Sequence, residues 1–184
     1  GEDAFRGGGG PVRVQRSRFT DPLIDAYRES ATGLGHVFSK DFNGAVNEGV
    51  ATAQQNIKDG RRHSVVDAYL RPALSRPNLA LALDAHVTAI RFAGSRAVGV
   101  DFATAGQTRQ VTAEREVIVS AGAINTPQLL MLSGIGPDEA LGAQGIDVRI
   151  ANPGVGANLQ DHLSAGMEFA RTRSGPFHAS MRLD

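Results

Sequence analysis

Apolar and polar positions change spacing several times along these 184 residues, and each change predicts an element. Residues 7–10 are all glycine and lead through Pro11 to Val12 and Val14, which alternate with Arg13 and Gln15. That reads as a plain loop followed by a short extended stretch. Leu23, Ala26, Tyr27 and Ala31 then recur at helical spacing. Asp21 is placed as the N-cap of this helix and Pro22 as its first residue, with Gly33 and Gly35 ending it. Residues 36–60 are polar and glycine-punctuated, which predicts loop with one short strand over 50–57. Ser64 and Asp67 form a capping-box pattern that opens a short helix through Leu70. Pro72 and Pro77 are expected to close that region.

The pattern next becomes β-rich. Strands are predicted over 78–83, 86–93, 97–104 and 108–112. Gly94-Ser95 suits a type II′ turn, because glycine fits its first central position. In 116–120 the apolar residues Val117, Ile118 and Val119 are consecutive rather than alternating. Such a run predicts a strand buried on both faces, as in a parallel sheet. Thr126-Pro127 then marks a helix start, with Leu129 to Leu132 as its body and Ser133-Gly134 as its stop. A further helix over 137–144 should end at Gly145 in a Schellman arrangement, with Ile146 beside Leu141. A strand over 147–150 and a turn at 152–154 follow. The fold class is therefore α/β, or mixed α+β.

Charge narrows the function. Lys+Arg and Asp+Glu number 19 each, so the formal net charge is zero. No excess of cations draws the chain to nucleic acid or an anionic membrane. No run of about 18 apolar residues predicts a membrane span. The absence of cysteine removes disulfides, thiolate metal sites and a cysteine nucleophile. The first residues, Gly-Glu-Asp-Ala-Phe-Arg, do not read as a signal peptide. The expected location is the cytoplasm. Hydrophobic residues make up 41%, enough for a core, and glycine is high at 22 residues.

Candidate chemistry gathers at the end of the consecutive apolar run. Ser120-Ala121-Gly122-Ala123 joins a predicted buried strand to a helix. Small residues there let a main chain approach a nucleotide, and a helix start offers unpaired N–H groups. The same residues also suit simple helix-on-sheet packing, and the pattern leaves both readings open. His36, His63, His86, His162 and His178 have no metal-ligand spacing, so no metal is expected. Asp161-His162 lacks a G-x-S-x-G partner and reads as a loop pin. Glu2/Asp3 and Asp138/Glu139 read as solvated pairs.

Four blocks in order resemble the glucose–methanol–choline (GMC) oxidoreductases. Residues 122–136, Gly-Ala-Ile-Asn-Thr-Pro-Gln-Leu-Leu-Met-Leu-Ser-Gly-Ile-Gly, are similar to that family's second signature. Residues 153–162, Pro-Gly-Val-Gly-Ala-Asn-Leu-Gln-Asp-His, are similar to its P-G-V-G-x-N-L-x-D-H segment. Gly60-Arg61-Arg62-His63-Ser64 with Ala68-Tyr69-Leu70 resembles its G-R-R-x-S…A-Y-L segment. Arg76-Pro77-Asn78-Leu79 and His86-Val87-Thr88-Ala89-Ile90 resemble the strand region before its meander. The nearest branch is choline-dehydrogenase-like and alcohol-oxidising.

The resemblance implies a flavoenzyme. Hydride passes from the CH–OH group of an alcohol to N5 of FAD, and electrons then go to O₂ or another acceptor. It places Val87 at the adenine through its main chain, and Ser120, Ala121 and Gly122 against the cofactor. It divides the chain into a substrate-domain segment (1–60), an FAD-binding, Rossmann-like segment with a β-meander (61–160) and a return to the substrate domain (161–184). The family's G-x-G-x-x-G turn and its catalytic histidine match nothing in this sequence, so no catalytic residue is assigned. The chain resembles the middle of such an enzyme and is expected to be inactive alone. The competing reading is a non-catalytic remnant that serves as a binding module. Ser164 is the substrate-proximal candidate. Choline-using relatives carry glutamate there, and Glu168 lies about 13 Å further along an extended chain. A neutral alcohol is therefore expected over choline.

Overall fold

Asp21 takes the role its position predicts. Its carboxylate accepts from the Leu23 N–H at 2.9 Å, and Pro22 opens α1 (Pro22–Gly33). Gly35 follows the helix with φ +91, a value a side chain rarely adopts. The computed structural model describes residues 4–176; Glu2, Asp3 and His178 lie outside the described residues. Two compact units make up the chain. The first holds the residues through Ala80 together with those from Met167 onward, and the second is Leu81–Gly166.

In the first unit, β1 (Gln15–Arg16) is preceded by the expected glycine loop. The single strand predicted over 50–57 is three short ones. β2 (Phe38–Ser39) pairs in parallel with β3 (Val50–Ala51). β4 (Gln54–Gln55) pairs antiparallel with β1. β5 (Ile57–Lys58) forms a hairpin with β6 (Arg61–Arg62). Asp59 and Gly60 turn that hairpin with φ +50 and +74, the signature of a type I′ turn. Each piece finds a different partner, and a partner's identity is not written in local spacing. The capping box at Ser64 forms as predicted. The Ser64 hydroxyl donates to Asp67 Oδ2 at 2.8 Å, and the main-chain N–H of Ser64 reaches the same oxygen at 3.2 Å. A wide helical turn (Val66–Leu70) runs into α2 (Arg71–Ala73). Pro72 thus does not close the helix. It sits inside α2, where its fixed φ is already helical.

Three carboxylates of this unit are held below their ordinary pKa of 3.8 by hydrogen bonds to their ionised forms. For Asp21 the main cause is the Leu23 N–H, followed by Arg171, whose Nη1 lies at 2.5 Å. For Asp41 it is Arg6, aided by Gln54 and Asn43. For Asp67 it is Ser64, then Arg71. A depressed folded-state pKa adds stability above the unfolded value and loses it as pH falls through the folded value. The first unit should therefore keep its stability down to about pH 5 and lose it progressively below about 3.8. The chain has two tyrosines and no tryptophan, and Tyr27 and Tyr69 are both in this unit. Tyrosine emission during denaturant unfolding reads the effect directly. Asp21→Asn should flatten the acid limb, and an unchanged limb would remove Asp21 from the explanation.

The second unit is built on an antiparallel meander: β7 (His86–Ala93), β8 (Arg96–Thr104) and β9 (Gln107–Thr112), in that order across the sheet. Gly94 has φ +60, as the type II′ turn requires. Ala105 and Gly106 both have positive φ and make the next turn. The predicted strand over 78–83 does not form; Leu81 and Leu83 are 51% and 72% exposed, without strand partners. Nor do residues 116–120 pair with any strand among the described residues, and Ile118 is 78% exposed. A consecutive apolar run is a strand only where neighbours supply hydrogen bonds and cover, and here none does.

Helix α3 spans Gly122–Leu132, so Thr126-Pro127 is not its start. Pro127 sits inside it, where the missing N–H leaves one carbonyl a turn earlier without its helical donor. Ser133 caps the C-terminal end and Gly134 leaves with φ +82, as expected. β10 (Ile135–Gly136) then pairs in parallel with β11 (Ile150–Ala151). Only Ile150 of the strand predicted over 147–150 belongs to β11. Between them, α4 (Asp138–Ala143) ends in the predicted Schellman motif. Ile146 N–H reaches the Leu141 carbonyl and Gly145 N–H that of Gly142, both at 3.0 Å. Leu141 is 2% exposed and, with Ile90, forms the described apolar core of this unit.

Candidate functional site

The turn at 120–122 sits at the start of α3. Ser120, Ala121 and Gly122 are all exposed, and Ala121 is an N-cap whose side chain offers no capping bond. The first N–H groups of an eleven-residue helix thus open here without a side-chain acceptor from the cap, at the positive end of the helix dipole. Gly122 has φ +87, and a Cβ built on it meets nothing within 4 Å. Backbone conformation, not crowding, calls for glycine at this position. The space around it is open, and the main chain there is accessible.

Val87 lies near the start of β7. Its register partner is Phe102, whereas Ala89 already faces Asp101, so Thr88 is the extra residue of a β-bulge. The bulge takes main chain next to Val87 out of the regular ladder, while the Thr88 hydroxyl donates to the Asp101 carbonyl at 3.3 Å. Val87 is 37% exposed. No sequence signal marked this bulge, since it arises from register across two strands.

Ser133 joins helix to strand. Its Oγ accepts from the Ile90 N–H at 2.8 Å and donates to the Leu129 carbonyl at 2.6 Å. Spacing predicts Ser133 only as part of a helix stop. This contact lies about 10 Å along the strand from Val87 and about 16 Å along the helix from Gly122. It fixes α3 on β7 while leaving the Gly122 end of the helix exposed.

Ser164 is exposed and belongs to no helix or strand. Asp161 Oδ1 accepts from the His162 main-chain N–H at 2.8 Å, a local bond of the loop-pinning kind. His63 Nδ1 accepts from the Arg13 N–H at 3.2 Å. Among the described residues no three His, Asp or Glu side chains gather as a metal-holding group. Among them, too, no helix is long and apolar enough to cross a membrane.

Comparison with known proteins identifies relatives of this arrangement. Human "Choline dehydrogenase, mitochondrial" is 43% identical over 182 residues, which is 99% of this chain and 31% of the relative. "Oxygen-dependent choline dehydrogenase" of Rhizobium etli is 47% identical over 163 residues, 89% of this chain and 30% of the relative. Among solved structures, an FAD-dependent oxidoreductase from Chaetomium thermophilum superposes with a TM-score of 0.80 at 33% identity, over 87% of this chain and 28% of the other. A fungal aryl-alcohol oxidase gives 0.71 at 32% identity, over 84% and 26%. The chain thus spans about 30% of the length of the curated relatives it matches. A family model described as GMC oxidoreductase matches residues 2–164. The match covers well over half of the sequence, and the chain belongs to the GMC oxidoreductase family.

Proposed function

We propose that this chain is a portion of an FAD-dependent enzyme that takes a hydride from the CH–OH carbon of an alcohol. The observation that carries this reading is the family match over residues 2–164. FAD, when bound, supplies the hydride acceptor. The described residues fit that cofactor in two places. The bulge beside Val87 frees main chain for the edge of an adenine, and the valine side chain remains available for packing. The exposed turn at 120–122 presents small residues and helix N–H groups to the cofactor. The segment assignments 1–60, 61–160 and 161–184 to substrate and cofactor domains are part of the proposal, as are the bacterial cytoplasm and an acceptor of O₂ type or another kind.

Ser164 decides the proposed substrate class. A serine cannot balance a quaternary ammonium as a carboxylate does, so a neutral alcohol is favoured over choline. The test uses the full-length protein. Gly122→Val places a β-branched residue where φ is +87 and costs roughly 1–2 kcal/mol or more in that conformation. The turn relaxes, and FAD binding has to reverse the change. The expected result is about tenfold weaker FAD affinity in a titration of apoprotein. Unchanged affinity would take the turn out of the site. On wild-type protein, flavin reduction by neutral alcohols should outpace reduction by choline; the opposite order would defeat the substrate assignment.

A further inference from the structure

We propose that Met131 is a positioning residue for the hydride transfer. It sets the turn at 153–156, and with it the start of the segment that carries Ser164, against the helix whose first turn is assigned to the cofactor. The proposal rests on the FAD and Ser164 assignments made above. Pro127 and Met131 are four residues apart in α3 and share one face of it. Two glycines from separate parts of the second unit meet that face. A Cβ on Gly136, which is buried in β10, would fall 2.8 Å from Met131 Cγ. A Cβ on Gly156 would lie 3.5 Å from Met131 Cε, 3.9 Å from its Sδ and 4.0 Å from Pro127 Cβ. The methionine therefore runs from β10 to the turn, with a glycine at each end of its reach. The contrast within the unit is plain: a Cβ on Gly106, Gly142 or Gly145 meets nothing within 4 Å.

The hydrogen bonds of the turn do not do this work. The Asn152 N–H donates to the Gly136 carbonyl at 2.8 Å, which ties the start of the turn to β10. The bonds made by the N–H groups of Gly154, Val155 and Ala157 stay within the turn. Among the described residues none runs from the turn to α3, so packing against Met131 and Pro127 is what places it on the helix. Gly122 lies about 14 Å from Met131 along α3. Ser164 is eight residues beyond Gly156. Helix α3 is thus a common strut for the two proposed contacts, and Met131 is where the second joins it. Reacting atoms tolerate little error in position, since a misplacement of about 1 Å from a distant substitution can cost about a hundredfold in rate.

Flavin reduction in the full-length, FAD-loaded protein tests the assignment. Ethanol, benzyl alcohol and choline are tried without oxygen, and the fastest reductant of wild-type flavin is used throughout. Met131→Ala should slow reduction roughly tenfold to a hundredfold. Its FAD affinity should stay within about threefold of wild type. Met131→Leu conserves volume and should stay within about threefold of the wild-type rate. Gly136→Ala should slow the wild type as Met131→Ala does, because its Cβ displaces Met131. In the Met131→Ala background it should add less than about twofold, since the atom it strikes is gone. Met131→Val lacks Sδ and Cε and gives the same readout where the alanine variant does not accumulate. A wild-type rate in these Met131 variants overturns the proposal, as do effects of Met131→Ala and Gly136→Ala that multiply. A loss of FAD affinity that accounts for the whole slowing also overturns it, because Met131 would then act through the cofactor turn alone. Wild-type protein that binds no FAD would overturn the flavin assignment and this proposal with it; the other failures, with FAD bound, overturn this proposal only.

Discussion

Purified as these 184 residues alone, the chain is expected to be colourless. FAD is held chiefly where its pyrophosphate meets the N–H groups of a glycine-rich turn and a helix start. No G-x-G-x-x-G turn occurs in this sequence. Of the proposed site the chain holds the bulged main chain at Val87 and the open turn at 120–122. Hydrogen bonds to a charged group contribute about 1.5–3 kcal/mol each. Loss of two or three from the pyrophosphate removes roughly 4–6 kcal/mol, or about a thousandfold to ten-thousandfold in affinity. A flavin held tightly in the full-length enzyme would then be lost on gel filtration. The check is the ratio of visible flavin absorbance to protein after that step. Stoichiometric flavin would mean that the residues present here are a sufficient site.

The second large effect is structural. Gly99 is buried in the middle of β8, opposite Arg91 on one neighbouring strand and Thr112 on the other. A Cβ at this position would fall onto the Val111 carbonyl oxygen and sit 3.1 Å from Thr112 Cα. Neither is a flexible side-chain end, so the β8–β9 ladder has to open. Gly99→Ala should cost about 3 kcal/mol or more, the upper range for overpacking. Gly106, in the β8–β9 turn, is the control. Its φ is +73 but a Cβ there meets nothing within 4 Å, so Gly106→Ala should cost only roughly 1–2 kcal/mol of backbone strain. Denaturant midpoints of the two variants separate the cases. Equal losses would show that the ladder yields without cost at Gly99.

The same contrast between local and distant causes explains what could be read in the sequence. The Asp21 cap, the Ser64–Asp67 box, the Gly94 turn and the Schellman end at Gly145 are each decided within six residues. All four are found as expected. The misread strands depend on partners elsewhere in the chain. Residues 50–57 divide because β1, β2 and β6 each claim a part. Segments 78–83 and 116–120 have strand composition, but among the described residues no strand pairs with them. The Thr126-Pro127 start followed a sound local rule, yet α3 begins at Gly122 and carries Pro127 inside it, one helical hydrogen bond short. The proposed site was half legible. Spacing raised the small-residue turn at 120–122 as one of two open readings, whereas Val87 came only through family resemblance. The bulge that makes its main chain available is a property of two paired strands.

Ser133 has one further effect, on how the meander meets other chains. By accepting the Ile90 N–H it closes part of the outer edge of β7. An incoming strand would have to displace a 2.8 Å hydrogen bond and the end of α3 to add on that side. The opposite edge is β9, six residues that are all exposed. Strand addition to this sheet is therefore expected at β9 in preference to β7. A charge or proline placed in β9 would be the means to stop it.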